Sequence, residues 1–221
     1  MTHAHRMARF NETDLYVVIT EAFCAGRPAL DVLDACLAAG VGLVQLREKN
    51  CSARELVQRA QVFRERTRAA NALLIIDDRV DIALAADADG VHLGQDDLPI
   101  AHARVLAPDL ILGSSSHNLD EALTAQQAGA SYVNIGPVFA TRTKDVPTGV
   151  VGPQLLAEIR PHLHIPFTCM GGIKVHNIDQ VLQHGARHPA VVTAVTAADD
   201  VQGAATALRD KIVNHLDYTR E

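Results

Sequence analysis

The stretch GLVQLREKNCSARELVQRAQVFRERTRAANALLII, residues 42–76, contains two short apolar runs on either side of one amphipathic segment. The runs at 42–46 and 73–76 are aliphatic and partly β-branched, a composition typical of buried strands. Apolar side chains recur at three- and four-residue intervals between the runs, at Leu56, Val57, Ala60 and Phe63. Charged residues occupy the other face of residues 52–69, so this segment is predicted to be an amphipathic helix. The stretch is therefore one strand–helix–strand unit.

The same alternation of apolar runs and amphipathic segments continues along the chain. Eight runs predict strands, at residues 15–20, 42–46, 73–76, 90–93, 110–114, 132–135, 165–170 and 190–193. Helical spacing occurs at residues 29–39, 52–69, 119–128, 153–159, 177–184 and 201–215, and it is weaker after the third and fourth runs. The runs recur about every 25 residues, which matches one βα unit per repeat.

The predicted fold is α/β, a single (β/α)₈ TIM barrel. Eight βα units in 221 residues fit one closed barrel. A doubly wound open sheet also alternates strands and helices, but it usually opens with a glycine-rich turn, and only Gly26 follows Thr20 here. No linker or low-complexity segment divides the chain. Residues 1–221 are therefore predicted to form one domain, with residues 1–13 as a poorly ordered N-terminal extension.

The charge of the chain argues against several classes of partner. A formal charge of −6 does not favour broad attraction to nucleic acid or anionic lipid, so an anionic ligand needs a local group of cations. No apolar run approaches the roughly 18 residues of a membrane span. We expect small-molecule ligands and no nucleic-acid or membrane partner. An aliphatic helix face fits either a core or a contact between subunits, so a homo-oligomer stays open.

The cysteines and the N-terminal stretch bear on the cellular compartment. The four cysteines are scattered without metal-ligand spacing, which is typical of buried free thiols in a cytosolic protein. Glu12 and Asp14 interrupt the basic N-terminal stretch before its apolar run, so the stretch does not fit a signal peptide. These features predict a cytoplasmic location.

Polar residues collect directly after the predicted strands. The loops at these positions converge on the mouth of a (β/α)₈ barrel. Arg47, Lys49 and Lys144 are cations suited to phosphate oxygens. Asp78 and Asp97 are the hard oxygen ligands that Mg²⁺ takes together with water and substrate phosphates. The glycines at 171–172 let backbone amides approach a second anion, so the mouth is predicted to hold two phosphorylated groups.

Several of these strings together resemble one enzyme family. They are QLREK at 45–49, DDRVDIALAADADGVHLGQDD at 77–97, GSSSH at 113–117, GPVFATRTK at 136–144 and GGI at 171–173. In order and spacing the chain is similar to the thiamine phosphate synthase family, from LYVVIT at 15–20 to VVTAV at 191–195. The resemblance implies a (β/α)₈ transferase of thiamine biosynthesis. Such an enzyme uses Mg²⁺ to join 4-amino-5-hydroxymethyl-2-methylpyrimidine diphosphate to 4-methyl-5-(2-phosphooxyethyl)thiazole, giving thiamine monophosphate and diphosphate.

The resemblance also implies roles for individual residues. The pyrimidine diphosphate would contact Gln45, Leu46, Arg47, Glu48, Lys49, Asp77, Ser115 and Lys144. The thiazole phosphate would contact Thr141, Arg142, Thr143, Gly172, Val192 and Thr193. Asp78 and Asp97 would bind Mg²⁺, and the catalytic group would be Arg47, Lys49, Ser115 and Lys144. The implied reaction is dissociative, because diphosphate leaves before the thiazole nitrogen attacks. It therefore requires charge neutralisation and alignment, and no side-chain nucleophile.

The chain departs from the family pattern at three places. Asp77 stands where Asn is usual, and an ionised carboxylate accepts hydrogen bonds but does not donate them. It fits contact with the pyrimidine amino group or a place in the metal shell, but it would repel bare diphosphate. GARHP at 185–189 replaces a Gly-Ala-Asp-Gly turn, and Thr193 replaces Ser. Both of these changes are expected near the thiazole phosphate.

Structural explanations stand beside these functional ones. Arg47 and Lys49 alone fit a solvated charge pair with Glu48. The aspartates at 77–78 fit an N-cap of a helix that begins near residue 79, and the serines at 114–116 fit a cap before residue 118. His92 and His117 fit hydrogen-bonded structural histidines as well as catalytic ones, and Cys51 fits a bystander thiol.

Two other functions fit parts of the sequence. A thiazole tautomerase on the same barrel needs neither diphosphate nor Mg²⁺, so the TRTK segment at 141–144 and the Asp78 and Asp97 pair argue against it. A ligand-binding barrel without catalysis is supported only by Asp77 and the turn at 187–189.

Overall fold

The computed structural model describes residues 1–141, 143 and 149–218, and it confirms the predicted barrel. Eight parallel strands pair in chain order and close between the first and the last. They are β1 (Tyr16–Ile19), β2 (Leu43–Leu46), β3 (Leu73–Asp77), β4 (Gly90–Leu93), β5 (Ile111–Ser116), β6 (Tyr132–Ile135), β7 (Phe167–Cys169) and β8 (His188–Val191). The described α-helices are α1 (His3–Asn11), α2 (Ala29–Ala38), α3 (Ala53–Ala69), α4 (Val80–Ala85), α5 (Ile100–Leu106), α6 (Leu119–Gln127), α7 (Gln154–Ile159), α8 (Ile178–Gln183), α9 (Thr193–Thr196) and α10 (Val201–Tyr218). Short 3₁₀ turns lie at Glu21–Phe23 and Arg160–His162.

Alternating side chains along each strand build two apolar layers. One cluster lies inside the barrel and includes Tyr16, Leu43, Ile75 and Tyr132. The other cluster lies between the strands and the helices and includes the alternate residues of the same strands, such as Leu46. Because successive side chains of a strand point to opposite faces, one apolar run supplies both layers. Polar side chains at the strand ends are consequently left at the mouth.

The last strand lies two residues earlier than predicted. It covers His188–Val191 instead of residues 190–193, and Pro189 pairs in register with Cys169. The apolar run begins only after Pro189, whose missing amide hydrogen is unfavourable within a strand ladder. Val192 then has φ −117° and ψ −98°, and Thr193 begins α9. The departure at 185–189 is thus at the N-terminal end of β8, away from the mouth, and the expectation that it borders the thiazole phosphate is wrong.

The N-terminal segment forms helix α1 where the sequence predicts a poorly ordered extension. Thr2 caps the helix by accepting a hydrogen bond from the His5 amide. Phe10 is fully buried, and its ring stacks on Tyr132 at a centroid distance of 5.0 Å. It also contacts His188 at a centroid distance of 4.9 Å. One aromatic residue in a polar stretch is a weak sequence signal, so the prediction is wrong for residues 3–11.

Helix α3 begins and is anchored by local polar contacts. Ser52 and Glu55 form a capping box, in which each side chain accepts a hydrogen bond from the other residue's amide. Further along the helix, Arg64 donates to the fully buried Asp89 at 2.7 Å. Asp89 immediately precedes β4, so this ion pair ties α3 to the N-terminal end of the barrel.

Two further expectations can be compared with the described residues. Cys24, Cys36 and Cys169 are buried free thiols, as predicted, whereas Cys51 is only partly buried. In the part of the chain that the structure describes, no helix has both the length and the apolar content needed to cross a membrane.

Candidate active site

The ends of β2 and β3 bring two cations and two carboxylates together. Lys49 Nζ lies 2.6 Å from Asp77 Oδ2 and also contacts Asp78. Arg47 Nε lies 3.6 Å from Asp77 Oδ2. Arg47 and Lys49 therefore point towards the carboxylates of β3. The alternative that places them in a solvated pair with Glu48 is wrong.

The environment shifts the pKa values of this cluster in a consistent way. Burial raises the pKa of Asp77 to about 6, although the nearby Lys49 and Arg47 charges oppose the rise. Burial alone would lower the pKa of Lys49, but Asp77 and Asp78 outweigh it and raise that pKa. The cluster thus holds a firmly charged ammonium next to a carboxyl group that burial makes harder to ionise.

Asp78 and Asp97 form the candidate metal site. Their carboxyl groups are within hydrogen-bond reach of each other, and Asp97 Oδ2 also accepts a bond of 2.7 Å from the Gly94 amide. Burial and the neighbouring Asp78 raise the pKa of Asp97. Burial tends to raise the pKa of Asp78 as well, but the hydrogen bonds from Lys49 and Asp97 lower it overall. A bound cation would favour the ionised form of both groups.

The donor set of this site fits Mg²⁺. Among the described residues there is no group of three or more side chains of the usual metal-binding types. Mg²⁺ is commonly bound by one or two carboxylates, with water and substrate phosphates completing its shell, so two aspartates suffice. Asp78 has φ +60° and does not cap α4, whose N-cap is Arg79 without a side-chain cap bond. The capping alternative for Asp78 is therefore wrong.

A cavity opens at the ends of β5 to β8, on the same side of the barrel as the charged cluster. Six of the predicted contact residues line it: Ser115, Thr141, Thr143, Gly172, Val192 and Thr193. The hydroxyl oxygens of Thr141 and Thr143 are 3.0 Å apart. Gly172 has φ +63°, and a Cβ there would collide with the Ala140 carbonyl and with Phe139. This close approach of two backbone segments requires glycine.

Four predicted site residues are placed differently or cannot be placed. Arg142 and Lys144 lie outside the described residues. The Leu46 side chain packs in the layer between barrel and helices, so only its backbone faces the mouth region. The Glu48 carboxylate accepts a 2.8 Å hydrogen bond from the Glu21 amide and lies near Arg59. Glu48 therefore fixes the loop after β1 instead of facing the charged cluster.

The serine motif at residues 113–117 forms the end of β5 and part of the cavity wall. Residues 114–116 belong to β5, and Asn118 caps α6 by accepting from the Glu121 amide at 2.9 Å, so the serine-cap alternative is wrong. His117 lines the cavity, and its Nδ1 lies 2.8 Å from Glu121 Oε2. The sequence interpretation singled out this histidine but not its carboxylate partner.

Three buried polar side chains hydrogen-bond to one another under the mouth, and only His92 was considered from the sequence, as either a structural or a catalytic histidine. Tyr16 and Tyr132 are joined at 3.1 Å between their hydroxyl oxygens, and Tyr132 Oη lies 3.0 Å from His92 Nδ1. His92 in turn contacts Ser115 through Nε2 at 3.0 Å. In the sequence the two tyrosines resemble ordinary apolar strand residues. Their hydrogen bonds to other polar side chains form only when the closed barrel brings the strands together.

Asp77→Asn tests the buried carboxyl group directly. The pKa of Asp77 is higher in the folded protein than in the unfolded chain, so folded protein holds this proton over a pH range in which unfolded protein has lost it. Stability of the unmodified protein should therefore fall as the pH rises from about 4 to about 6. Relative to it, Asp77→Asn should gain about 1–3 kcal/mol across that window.

Urea unfolding at a series of pH values measures this difference. Asp81→Asn is the matched control, because Asp81 is close in sequence but exposed, and its pKa is lowered by its hydrogen bond to Arg79. A stability difference between Asp77→Asn and the unmodified protein that stays constant from pH 4 to pH 7 would contradict the raised pKa.

The closed barrel, with cations and paired carboxylates at its mouth and a glycine-lined cavity, is the architecture of a (β/α)₈ enzyme that acts on small molecules. Residues 15–195 match the family model described as thiamine monophosphate synthase. The chain belongs to this family and is a transferase.

Named relatives agree over most of the chain. The thiamine-phosphate synthase of Chloroflexus aurantiacus is 48% identical over 195 residues, which cover 88% of this chain and 90% of the relative. That of Moorella thermoacetica is 45% identical over 200 residues, covering 90% and 95%. The structure of thiamine phosphate pyrophosphorylase from Pyrococcus furiosus has a TM-score of 0.88 at 38% identity, covering 95% of this chain and 99% of that one. A 3-hexulose-6-phosphate synthase, at 18% identity and a TM-score of 0.63, shares the fold.

Proposed function

We propose that the protein joins 4-amino-5-hydroxymethyl-2-methylpyrimidine diphosphate to 4-methyl-5-(2-phosphooxyethyl)thiazole, forming thiamine monophosphate and releasing diphosphate. The observation that carries the proposal is the division of the mouth into two halves. One half is the charged cluster of Arg47, Lys49, Asp77 and Asp78, and the other is the cavity beside Gly172. A diphosphate with a metal ion suits the first half, and a monophosphate on a small ring suits the second.

The charged cluster supports a reaction in which diphosphate leaves first. As the bond between the pyrimidine methylene carbon and the diphosphate oxygen breaks, negative charge grows on the leaving oxygen. Lys49 and Arg47 would stabilise this negative charge. Both side chains contact Asp77 Oδ2, so both reach the same part of the mouth. Mg²⁺ held by Asp78 and Asp97 would supply further neutralisation of the diphosphate. Fixed cations that need no reorganisation lower such a barrier effectively.

The cavity supports alignment of the second substrate. Thr141, Thr143 and Thr193 offer hydroxyl groups, and the backbone of Gly172 can approach a phosphate closely. Held by its phosphate, the thiazole would present its ring nitrogen to the electron-deficient methylene carbon. Attack forms the new carbon–nitrogen bond without a side-chain nucleophile, so the protein contributes mainly orientation. Ser115 lies on the cavity wall and is suited to contact the diphosphate side.

Purified protein supplied with both phosphorylated heterocycles and Mg²⁺ tests the proposal. Diphosphate and thiamine monophosphate should appear in equal amounts. A coupled assay measures the diphosphate, and chromatography measures the thiamine monophosphate. Omitting the thiazole phosphate should abolish formation of thiamine monophosphate. If neither product forms while an active synthase works in the same assay, the proposal is wrong.

Asp78→Asn tests the metal ligands. Replacing a charged ligand by a neutral amide should raise the Mg²⁺ concentration needed for half-maximal activity by about 10- to 100-fold. Asp81→Asn, an exposed change in α4 three residues away, should leave that concentration unchanged. An Mg²⁺ titration of diphosphate release measures both variants. Identical titration curves for Asp78→Asn and the unmodified protein would remove Asp78 from the metal site.

A further inference from the structure

A continuous hydrogen-bonded chain crosses the interior of the barrel beneath the mouth. We call it the core relay, and its members are Gln45, Tyr16, Tyr132, His92 and Ser115. Gln45 Nε2 donates to the Tyr16 hydroxyl at 2.7 Å, and the two tyrosine hydroxyls are 3.1 Å apart. Tyr132 Oη lies 3.0 Å from His92 Nδ1, and His92 Nε2 lies 3.0 Å from Ser115 Oγ. The relay thus joins β2 to β5 through β1, β6 and β4.

The surrounding structure holds the core relay in place. Gln45, Tyr16, Tyr132 and His92 are all buried, and the Tyr132 and His92 rings stack at a centroid distance of 5.7 Å. Gly113 lies against this pair, and a Cβ at that position would collide with both rings. Burial raises the pKa values of both tyrosines, so their hydroxyls stay protonated at neutral pH. Each hydroxyl therefore has one proton to donate, which makes the relay directional.

The direction of the core relay follows from its first member. Because Gln45 Nε2 donates to Tyr16, the Tyr16 proton is directed to Tyr132. The Tyr132 proton is then directed to His92 Nδ1, and an imidazole ring that accepts at Nδ1 carries its own proton at Nε2, from which it donates to Ser115. Ser115 Oγ accepts this bond, which leaves its own proton for a group at the mouth. At the other end, the Gln45 carbonyl oxygen is left as an acceptor.

We propose that the core relay fixes Gln45 as a hydrogen-bond acceptor and Ser115 as a donor, and so selects an aminopyrimidine that carries a diphosphate. The inference rests on the proposed function and adds Tyr16, Tyr132 and His92 as positioning residues. An exocyclic amino group needs an acceptor, and a diphosphate oxygen needs a donor. The opposite direction of the relay would present the Gln45 amide nitrogen and the Ser115 lone pairs, which match neither group.

Tyr132→Phe interrupts the core relay in its middle. The ring remains to stack on Phe10 and His92, and only the hydroxyl is lost. With the link gone, Gln45 can turn its amide and Ser115 can turn its hydroxyl. We expect kcat/KM for the pyrimidine diphosphate to fall by about 10- to 100-fold, as buried partners lose their fixed bonds. The KM for the thiazole phosphate should change by less than about 2-fold, because the relay does not reach Thr193 or Gly172.

Ile75→Val is the matched control, since Ile75 belongs to the same interior layer but has no polar atom in its side chain. It should lower stability slightly and leave both kinetic constants unchanged. If Tyr132→Phe does not fold, Tyr16→Phe interrupts the same relay one hydroxyl earlier. Equal kcat/KM values in the relay variant and in Ile75→Val would overturn the inference.

A pair of variants at His92 separates positioning from simple packing. His92→Gln keeps one acceptor and one donor near each other, whereas His92→Leu keeps neither. We expect His92→Gln to retain at least about 5-fold more of the original kcat/KM than His92→Leu at similar thermal stability. Equal losses in the two variants would overturn the relay. If the unmodified protein releases no diphosphate, the proposed function fails and the inference fails with it, whereas an active protein with unaffected relay variants refutes only the relay.

Discussion

Lys49→Ala is expected to lower kcat/KM for the pyrimidine diphosphate by about 10²- to 10³-fold, the usual loss when one fixed group that stabilises developing charge is removed. In the structure the Lys49 ammonium lies 2.6 Å from Asp77 Oδ2 and also contacts Asp78. In the proposed reaction the leaving diphosphate would contact the same ammonium. Its attraction to the leaving group grows as charge develops, so kcat should fall more than KM rises.

The effects of Lys49→Ala and Asp78→Asn should differ in their response to Mg²⁺. Removal of Lys49 also removes a competitor for the Asp78 carboxylate, so the half-saturating Mg²⁺ concentration should not rise in Lys49→Ala. Excess Mg²⁺ should restore much of the activity of Asp78→Asn but not that of Lys49→Ala. A titration of diphosphate release for both variants makes the comparison.

Lys211→Ala is the matched control for Lys49→Ala. Lys211 also pairs with an aspartate, at 2.5 Å from Asp179 Oδ2, and its side chain is 36% exposed compared with 41% for Lys49. It lies on α10 and should change kcat/KM by less than about 2-fold, as expected for a surface ion pair. If kcat/KM falls by less than about 3-fold in Lys49→Ala, Lys49 serves only as a counter-ion for the two aspartates.

The eight strands could be predicted because each is encoded locally. Each strand is apolar on both faces, because its side chains fill both the barrel interior and the layer beneath the helices. This pattern can be recognised in residues 73–76 without knowledge of the neighbouring strands. The shift of β8 shows the limit of such local information. Pro189 interrupts the pattern, but its place in the register with Cys169 depends on a neighbouring strand.

The charged part of the site could be predicted from the motif, but the direction of individual side chains could not. Arg47, Glu48 and Lys49 are consecutive, and the resemblance implies that all three contact the pyrimidine diphosphate. Successive side chains after a strand point to opposite sides, so Glu48 turns to the Glu21 amide while its two neighbours face Asp77. A motif thus identifies the segment that forms the site, and backbone geometry decides which of its side chains take part.

The core relay and helix α1 could not be predicted, because both depend on contacts between distant parts of the chain. Tyr16 and Tyr132 are 116 positions apart, and each occupies an apolar run in which a buried aromatic ring is ordinary. Phe10 packs against Tyr132 and His188, which lie far from it along the chain. No spacing rule joins these residues until the barrel closes.

Asp89→Asn is expected to lower the free energy of unfolding by about 3–5 kcal/mol, the usual cost of leaving a buried ion without its partner. Asp89 is fully buried, and its Oδ2 accepts bonds from Arg64 Nη1 at 2.7 Å and from the Leu74 amide at 3.0 Å. Its Oδ1 lies 3.8 Å from Arg6 Nε and 3.9 Å from Arg9 Nη1. One carboxylate therefore balances guanidinium groups from both α1 and α3. The asparagine keeps the size of the side chain and removes the charge, so the buried arginines lose their counter-ion.

A double-mutant cycle separates the lost charge pairing from lost packing. Arg64→Met removes the nearest guanidinium, and in the combined variant with Asp89→Asn neither charge of that pair remains. The combined variant should be more stable than the sum of the two single losses predicts, by at least about 1 kcal/mol in urea unfolding. Asp34→Asn, which breaks the exposed pair with Arg66 at 2.9 Å, should cost no more than about 1 kcal/mol. Because Asp89 precedes β4 at the end of the barrel opposite the mouth, folded Asp89→Asn protein should keep its kcat/KM. A loss of stability as small as that of Asp34→Asn would show that the buried carboxylate is not what joins α1 and α3 to the barrel.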